Sequence, residues 1–220
     1  MNKKHLILGV VVFAIVIGII SSVLTPSSEN MNIDMQRTHG GISTAMGSPI
    51  FGESSAPITI VEFGDYQCHF CNKWFHETKP SIDTDYIETG KVNLIFVDLA
   101  FLGKDSQKAA QATYCAEDQG KYWDYHNHLY NLQEPTIDGG WANTERLKAF
   151  AFDLGLDMDL FGSCLDSGKY FNRVKYNTEQ AKENGVNSTP GFFIIGPNSQ
   201  IQISGAQPYS VFKQTLDSMM

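Results

Sequence analysis

Short apolar runs alternate with segments of helical period from about residue 58 onward. The β-branched runs at residues 58–63 and 92–97 predict two buried strands. Between them, residues 68–88 place apolar side chains at helical spacing, and Pro80 is expected to kink or end that helix. The sequence therefore predicts a strand, a turn, a helix and a second strand in that order.

The second half of the chain changes its period twice. Nearly every segment of residues 106–185 has helical spacing, which predicts several short helices packed together. After Pro190, apolar residues at 192–195 and 200–204 flank a turn rich in Gly, Pro and Asn, and this pattern predicts a β-hairpin. A final helix is expected from about Tyr209. The order of elements predicts an α/β fold, a small sheet with a helical insertion.

The N-terminal region predicts a membrane anchor. Residues 6–24 contain no charge and no proline, and a helix of that length matches the thickness of the hydrocarbon core. The run is longer than the apolar region of a signal sequence and lacks a clean cleavage site, so we favour an anchor over a signal sequence for residues 1–25. Because Lys3 and Lys4 precede the run, the N-terminus is expected in the cytoplasm and everything after the run outside it. The protein is thus expected in the cell membrane as a single-pass protein with an extracytoplasmic domain.

The segment after the anchor predicts a tether. Residues 25–57 are rich in Pro, Gly, Ser, Thr and Asn and show no sustained period, so residues 26–46 are interpreted as a linker. The folded domain is then expected at residues 47–220, with its helical insertion at about 104–185.

Composition limits the partners. The chain has 16 basic and 24 acidic residues, a net charge of -8, which argues against a nucleic-acid partner. A domain of this size needs neither a metal nor a disulfide merely to fold, so its four cysteines call for another explanation. No metal site is predicted, because neither Cys115 nor Cys164 has a second cysteine close in sequence.

Cys68 and Cys71 form a C-x-x-C motif where the first strand leads into a helix. Cys68 is expected in the first helical turn, where backbone N–H groups and the helix dipole favour the thiolate. A lowered thiol pKa stabilises the reduced form and makes the disulfide more oxidising. Cys71, one turn deeper, is expected to be the resolving thiol.

Several stretches together carry a family resemblance. They are residues 56–63, residues 65–71 with the cysteine pair, residues 121–126, and residues 186–191 with a Thr-Pro before a strand. The chain resembles the DsbA-like thiol-disulfide oxidoreductases of the thioredoxin superfamily over residues 47–220. The resemblance implies a thioredoxin fold with an inserted helical subdomain, and no cofactor besides the redox-active disulfide Cys68–Cys71.

The resemblance also assigns the substrate-binding side of the site. It implies that Pro190 is cis and faces the cysteine pair, and that the loop of Thr189 and Pro190 pairs with an extended substrate peptide. Phe70 is expected to contact the same substrate. The expected substrates are unfolded, cysteine-containing secreted proteins, and the expected reoxidant is a quinone-linked membrane protein.

Glu62 and His69 complete the expected catalytic set. Glu62 stands where such proteins carry a buried acid, and it shares a strand face with Ile58 and Ile60. A carboxyl buried there should have a raised pKa and could relay the proton of Cys71; the alternative is a purely structural carboxylate. His69 departs from the best-known pattern, in which histidine directly precedes the second cysteine, so we expect a Cys68 pKa between about 3.5 and 7.

The other two cysteines predict a structural disulfide. If Cys68 pairs with Cys71, Cys115 is left with Cys164, and a bridge between them would protect both thiols outside the cytoplasm. The alternative is two buried free cysteines that pack as small apolar side chains.

These observations predict a dithiol oxidase that introduces disulfides into secreted or surface proteins. Thr189 keeps a second possibility open, an isomerase or reductase on the same fold, because strongly oxidising relatives tend to have an aliphatic residue there. A third is a non-enzymatic Cu(I) carrier that uses Cys68, Cys71 and methionines of the linker.

Overall fold

The structure is a computed structural model and describes residues 38–220. The predicted membrane helix at 1–25 and most of the predicted linker lie outside the described residues. Within residues 38–220, no helix combines the length and the apolar character needed to cross a bilayer.

The described residues form six strands and eight α-helices. The strands are β1 Thr38–His39, β2 Ile42–Ser43, β3 Ile58–Gly64, β4 Val92–Asp98, β5 Gly191–Ile195 and β6 Gln200–Ser204. The helices are α1 His69–Glu77, α2 Lys79–Ile82, α3 Lys104–Glu117, α4 Tyr122–Asn131, α5 Thr144–Asp153, α6 Met158–Ser167, α7 Phe171–Glu183 and α8 Tyr209–Met219. The predicted α/β order with a helical insertion is confirmed, and α3 to α7 form that insertion.

The main sheet has the strand order β4-β3-β5-β6. β3 pairs in parallel with β4 and antiparallel with β5, and β5 pairs antiparallel with β6 as the predicted hairpin. β3 and β4 are buried at every position, because helices cover the sheet on both faces.

Two apolar clusters cover the two faces of the sheet. On one face, Trp74 of α1 and Phe212 of α8 pack with Phe192 of β5. On the other, Ala181 of α7 packs with Val61 and other residues of the strands. A third cluster joins the insertion helices to each other and to the start of α1.

The predicted interruption at Pro80 is confirmed. α1 ends at Glu77, α2 restarts at Lys79, and a π-helical turn follows at Asp83–Ile87. Proline lacks the N–H that a continuous helix would use, and this accounts for the break between α1 and α2.

The predicted linker needs a correction at its C-terminal end. Residues 42–51, the edge strap, pack on the domain, and Ile42 is only 4% exposed. Ser48 N donates to the carbonyl of Phe96 at 2.8 Å, and Phe51 exchanges two 2.9 Å backbone hydrogen bonds with Leu94. β4 is an edge strand with unpaired backbone groups, and the edge strap satisfies them. The domain therefore begins before residue 47, although the composition of this segment is that of a tether.

Candidate active site

Cys68 is the N-cap of α1, one residue before the first turn in which it was expected. β3 ends at Gly64, and residues 65–67 turn the chain so that the backbone of Cys68 is still extended. Its Sγ accepts a hydrogen bond from the backbone N–H of Cys71 at 3.4 Å. A sulfur in this position faces the positive end of the helix dipole.

The surroundings of Cys68 lower the pKa of its thiol to about 6. The main cause is a hydrogen bond from the Cys71 thiol, and hydrogen bonds from Thr189 and from the N–H groups of Cys71 and Phe70 add to it. Burial of the sulfur opposes the shift but does not cancel it. The value lies within the range expected from the sequence, so a large share of Cys68 is thiolate at neutral pH.

Cys71 has the opposite character. Its side chain is fully buried, and burial raises the pKa of its thiol well above the ordinary value, with the hydrogen bond to Cys68 as a second cause. Both cysteines are free thiols in this structure. The pair is thus asymmetric, with an acidic thiol at Cys68, which is 6% exposed, and a protonated thiol at the fully buried Cys71.

Glu62 lies inside the sheet, 1% exposed, on the strand that leads to the cysteines. Burial raises the pKa of its carboxyl to about 8, and the positive charge of Lys79 limits that rise. A negative charge on Glu62 also raises the pKa of Cys71, as a smaller cause than burial of that thiol. Glu62 therefore has the buried position and the raised carboxyl pKa that the sequence predicts.

Lys79 is a buried cation that the sequence reasoning missed. Its ammonium nitrogen lies 2.6 Å from a carboxylate oxygen of Asp83 and 4.5 Å from the centre of the Phe51 ring. The sequence signal was weak: Lys79 lies on the apolar side of a helix, next to Pro80. A lysine is normally exposed to solvent, so burial is not expected for it.

Thr189 and Pro190 lie beside the cysteine pair, as the resemblance implies. The Thr189–Pro190 peptide bond is cis, and the carbonyl oxygen of Thr189 lies 3.4 Å from the Sγ of Cys68. Pairing of Phe63 with Gly191 fixes this placement, because it brings the start of β5 to the end of β3.

Phe70 and His69 are both at the surface, in the first turn of α1. Phe70 is 57% exposed and its ring contacts that of His69, with 5.6 Å between centroids. Phe70 is therefore accessible to a partner molecule next to Cys68, and its contact with substrate stays a prediction.

The helical insertion contributes residues that the sequence reasoning missed. Gln133 donates to the carbonyls of Tyr66 and Cys68 at 2.6 and 3.1 Å. Asp65 accepts hydrogen bonds from Gln67 N and from the hydroxyl of Ser106. Nothing in the sequence signals the Gln133 contacts, because more than 60 residues separate the partners.

Cys115 and Cys164 form a disulfide with an S–S distance of 2.01 Å and 5.8 Å between Cα atoms. The bond joins α3 to α6 within the insertion. The predicted disulfide between Cys115 and Cys164 is thus confirmed.

The chain is similar over most of its length to known proteins. The family model described as Thioredoxin matches residues 44–218. Disulfide bond formation protein D of Bacillus subtilis is 28% identical over 189 residues, 80% of this chain and 79% of that protein.

Two solved structures are similar to this chain as well. The crystal structure of oxidised BdbD from Bacillus subtilis has a TM-score of 0.74 and 27% identity, and covers 83% of this chain and 97% of that one. The structure of alpha-DsbA1 from Wolbachia pipientis has a TM-score of 0.67 and 25% identity, and covers 77% and 89%.

The fold and the Cys68–Cys71 pair define a DsbA-like thiol-disulfide oxidoreductase, with a thioredoxin-like α/β fold and a helical insertion. The chain belongs to the thioredoxin family whose model matches residues 44–218.

Proposed function

We propose that this protein is a membrane-tethered dithiol oxidase, which introduces disulfides into unfolded secreted or surface proteins outside the cytoplasm. The observation that carries the proposal is the asymmetry of the pair, an acidic thiol at Cys68 and a buried, protonated thiol at Cys71. A stabilised Cys68 thiolate favours the reduced enzyme, and this makes the enzyme's disulfide more oxidising.

The first step is attack by a substrate thiolate on Sγ of Cys68. The Cys68–Cys71 bond breaks, a mixed disulfide forms between substrate and Cys68, and the Cys71 sulfur leaves with the electron pair. Because burial raises the pKa of Cys71, this sulfur takes up a proton. Glu62 is the proposed source, since its carboxyl is itself protonated at neutral pH.

In the second step, another substrate thiolate attacks the substrate sulfur of the mixed disulfide. Cys68 departs as a thiolate, for which its lowered pKa suits it. The substrate leaves oxidised by two electrons and the enzyme is reduced by the same two. The chemistry needs no cofactor besides the cysteine pair.

Substrate binding is assigned to the surface around Cys68. The loop of Thr189 and Pro190 offers backbone groups beside the sulfur, and an extended peptide would pair with it as an added strand. Phe70 supplies an exposed apolar contact that does not depend on the amino-acid sequence of the substrate.

Reoxidation and location form the last part of the proposal. The reduced pair is expected to pass its electrons to a quinone-linked membrane protein. The apolar run at residues 6–24 would anchor the domain in the same bilayer and raise its effective concentration near that partner.

The test is oxidation of a reduced, unfolded protein by the oxidised enzyme, followed by trapping of free thiols. We expect stoichiometric disulfide formation, and its loss in both Cys68→Ser and Cys71→Ser, because neither variant can form the disulfide that the substrate thiolate attacks. The double variant Cys115→Ala/Cys164→Ala, which leaves the pair intact, is the control. An enzyme that rearranges scrambled disulfides but does not oxidise reduced substrate would instead be the isomerase that Thr189 keeps possible.

A further inference from the structure

The loop between α4 and α5, residues 132–143, contacts the turn that carries Cys68. Gln133, half-buried at the start of this loop, donates from one amide nitrogen to the carbonyls of Tyr66 and Cys68. The Cys68 carbonyl also accepts the N–H of Asn72 at 3.1 Å, in the first turn of α1. Gln133 therefore holds the peptide group at which the helix begins.

Asp138 holds the same turn through a second contact. Its backbone N–H donates to the side-chain oxygen of Gln67 at 2.6 Å, and the amide of Gln67 donates back to its carboxylate at 3.0 Å. Among residues 38–220, Asp138 is the one non-glycine residue with positive φ, at 52°. Such a conformation persists only where the surroundings impose it, and it is enriched at functional sites.

Asp138 also fastens the loop to the insertion. Its carboxylate accepts the backbone N–H groups of Lys104 and Asp105, and so caps α3, whose own N-cap is Gly103. Asp105 accepts the N–H of Gly140 in return, at 3.0 Å. A side chain at Gly103 would put its Cβ 2.3 Å from the Asp138 carboxylate, so only glycine permits this approach.

These contacts lead to one conclusion about the insertion. We propose that the loop of residues 132–143 positions Cys68 through Gln133 and Asp138, and that the helical insertion thereby sets the reactivity of the catalytic thiol. The two residues touch neither thiol and act as positioning residues. They fix the turn at residues 66–68, and the turn fixes the distance from the Cys68 sulfur to the N–H of Cys71. The inference rests on the proposed role of Cys68 as the attacked sulfur.

The chain offers matched controls far along the same insertion. Gln119 and Asp157 form a reciprocal pair like that of Gln67 and Asp138, because Asp157 N donates to the Gln119 side chain and the Gln119 amide donates back to the Asp157 carbonyl. Asp157 also caps α6 as Asp138 caps α3. The test variants are therefore Gln133→Met and Asp138→Ala, with Gln119→Met and Asp157→Ala as controls.

The experiment measures alkylation of Cys68 by iodoacetamide against pH in the reduced full-length protein, with the Cys115–Cys164 bond intact. It also measures the reduction potential of the pair in glutathione buffers and the thermal unfolding of each variant. We expect Gln133→Met and Asp138→Ala to lower the alkylation rate at pH 5 by about twofold to tenfold, the effect of one lost hydrogen bond. Their potentials should become more reducing, and the two controls should match the wild type in both readouts.

Thermal unfolding separates positioning from stability. A test variant and its control that lose similar stability but differ in Cys68 alkylation support positioning. Equal alkylation profiles in Gln133→Met and Gln119→Met would overturn the inference, and this pair decides if Asp138→Ala does not fold. The oxidase proposal fails separately, if the wild-type potential itself lies in the range of reductases.

Discussion

The Sγ of Cys68 lies 3.4 Å from the backbone nitrogen of Cys71, while the Cys71 side chain is fully buried below it. Two thiols separated by one helical turn therefore have different environments. The backbone N–H and the Cys71 thiol stabilise a charge on Cys68, and burial opposes a charge on Cys71. This difference supports the proposed roles of Cys68 as the attacked sulfur and Cys71 as the leaving sulfur.

The reactivity of the two thiols should differ strongly with pH. In the reduced protein, alkylation of Cys68 is expected to rise with pH and reach half its limiting rate near pH 6, because the pKa of Cys68 is about 6. Cys71 should stay unmodified across the same range. Mass spectrometry of protein quenched at each pH measures both sites, and faster labelling of Cys71 than of Cys68 would refute the assignment.

Replacing Glu62 with Gln should stabilise the protein at neutral and alkaline pH. The folded pKa of Glu62, about 8, exceeds its value of about 4.5 in the unfolded chain, so folded protein holds the proton longer and loses stability as pH rises from 4.5 to 8. The variant lacks this loss. We expect its free energy of unfolding to exceed that of the wild type by on the order of a few kcal/mol at pH 8, and to equal it at pH 4.

Denaturant unfolding at pH 4 and pH 8 checks this prediction. A stability difference that is the same at both values would contradict a raised Glu62 pKa. The same variant should oxidise substrate several-fold more slowly at pH 7, because it cannot supply a proton to Cys71.

Loss of the second disulfide should affect stability and leave the catalytic pair unchanged. Cys115 and Cys164 are 49 residues apart in sequence, and closing a loop of that size stabilises by about 4 kcal/mol in the chain-entropy model. Thermal and denaturant unfolding of Cys115→Ala/Cys164→Ala should show this decrease. Its alkylation profile at Cys68 should match that of the wild type, and a shifted profile would show that the bond also acts on the active site.

Ser48→Ala should show that the edge strap belongs to the folded domain. The Ser48 hydroxyl oxygen accepts the buried N–H of Phe96 at 2.9 Å, and the variant leaves that donor without a partner. The free energy of unfolding of Ser48→Ala, measured with denaturant, is expected to fall by about 1–3 kcal/mol. Ser199→Ala, in the exposed turn between β5 and β6, is the control and should lose almost nothing. Equal stability of the two variants would mean that the strap does not hold the edge of β4.

Much of the fold was predictable because it is periodic. The strands at β3 and β4, the break at Pro80 and the final hairpin follow from patterns within a few residues of each other. The C-x-x-C motif and Glu62 were predictable for the same reason, since a short strand and one helical turn relate them. Tyr122, Tyr125 and Tyr130 are buried along the apolar side of α4, as the helical spacing of that segment predicts.

The contacts that the sequence did not predict connect distant segments. The edge strap packs because β4 has a free edge, and nothing in the polar composition of the strap records that edge. Lys79 contacts the ring of Phe51, which lies far earlier in the chain, as well as the carboxylate of Asp83 on the next helical turn. Gln133 and Cys68 are 65 residues apart in sequence, and the folded insertion brings them into contact.

The reduction potential of the Cys68–Cys71 pair tests the central claim most directly. It is measured by equilibration with glutathione buffers and mass-tagging of free thiols, which separates this pair from Cys115 and Cys164. The account predicts a value between about -180 and -120 mV, the range of proteins that form disulfides. A value near about -270 mV, that of thioredoxin, would contradict the oxidase and identify a reductase.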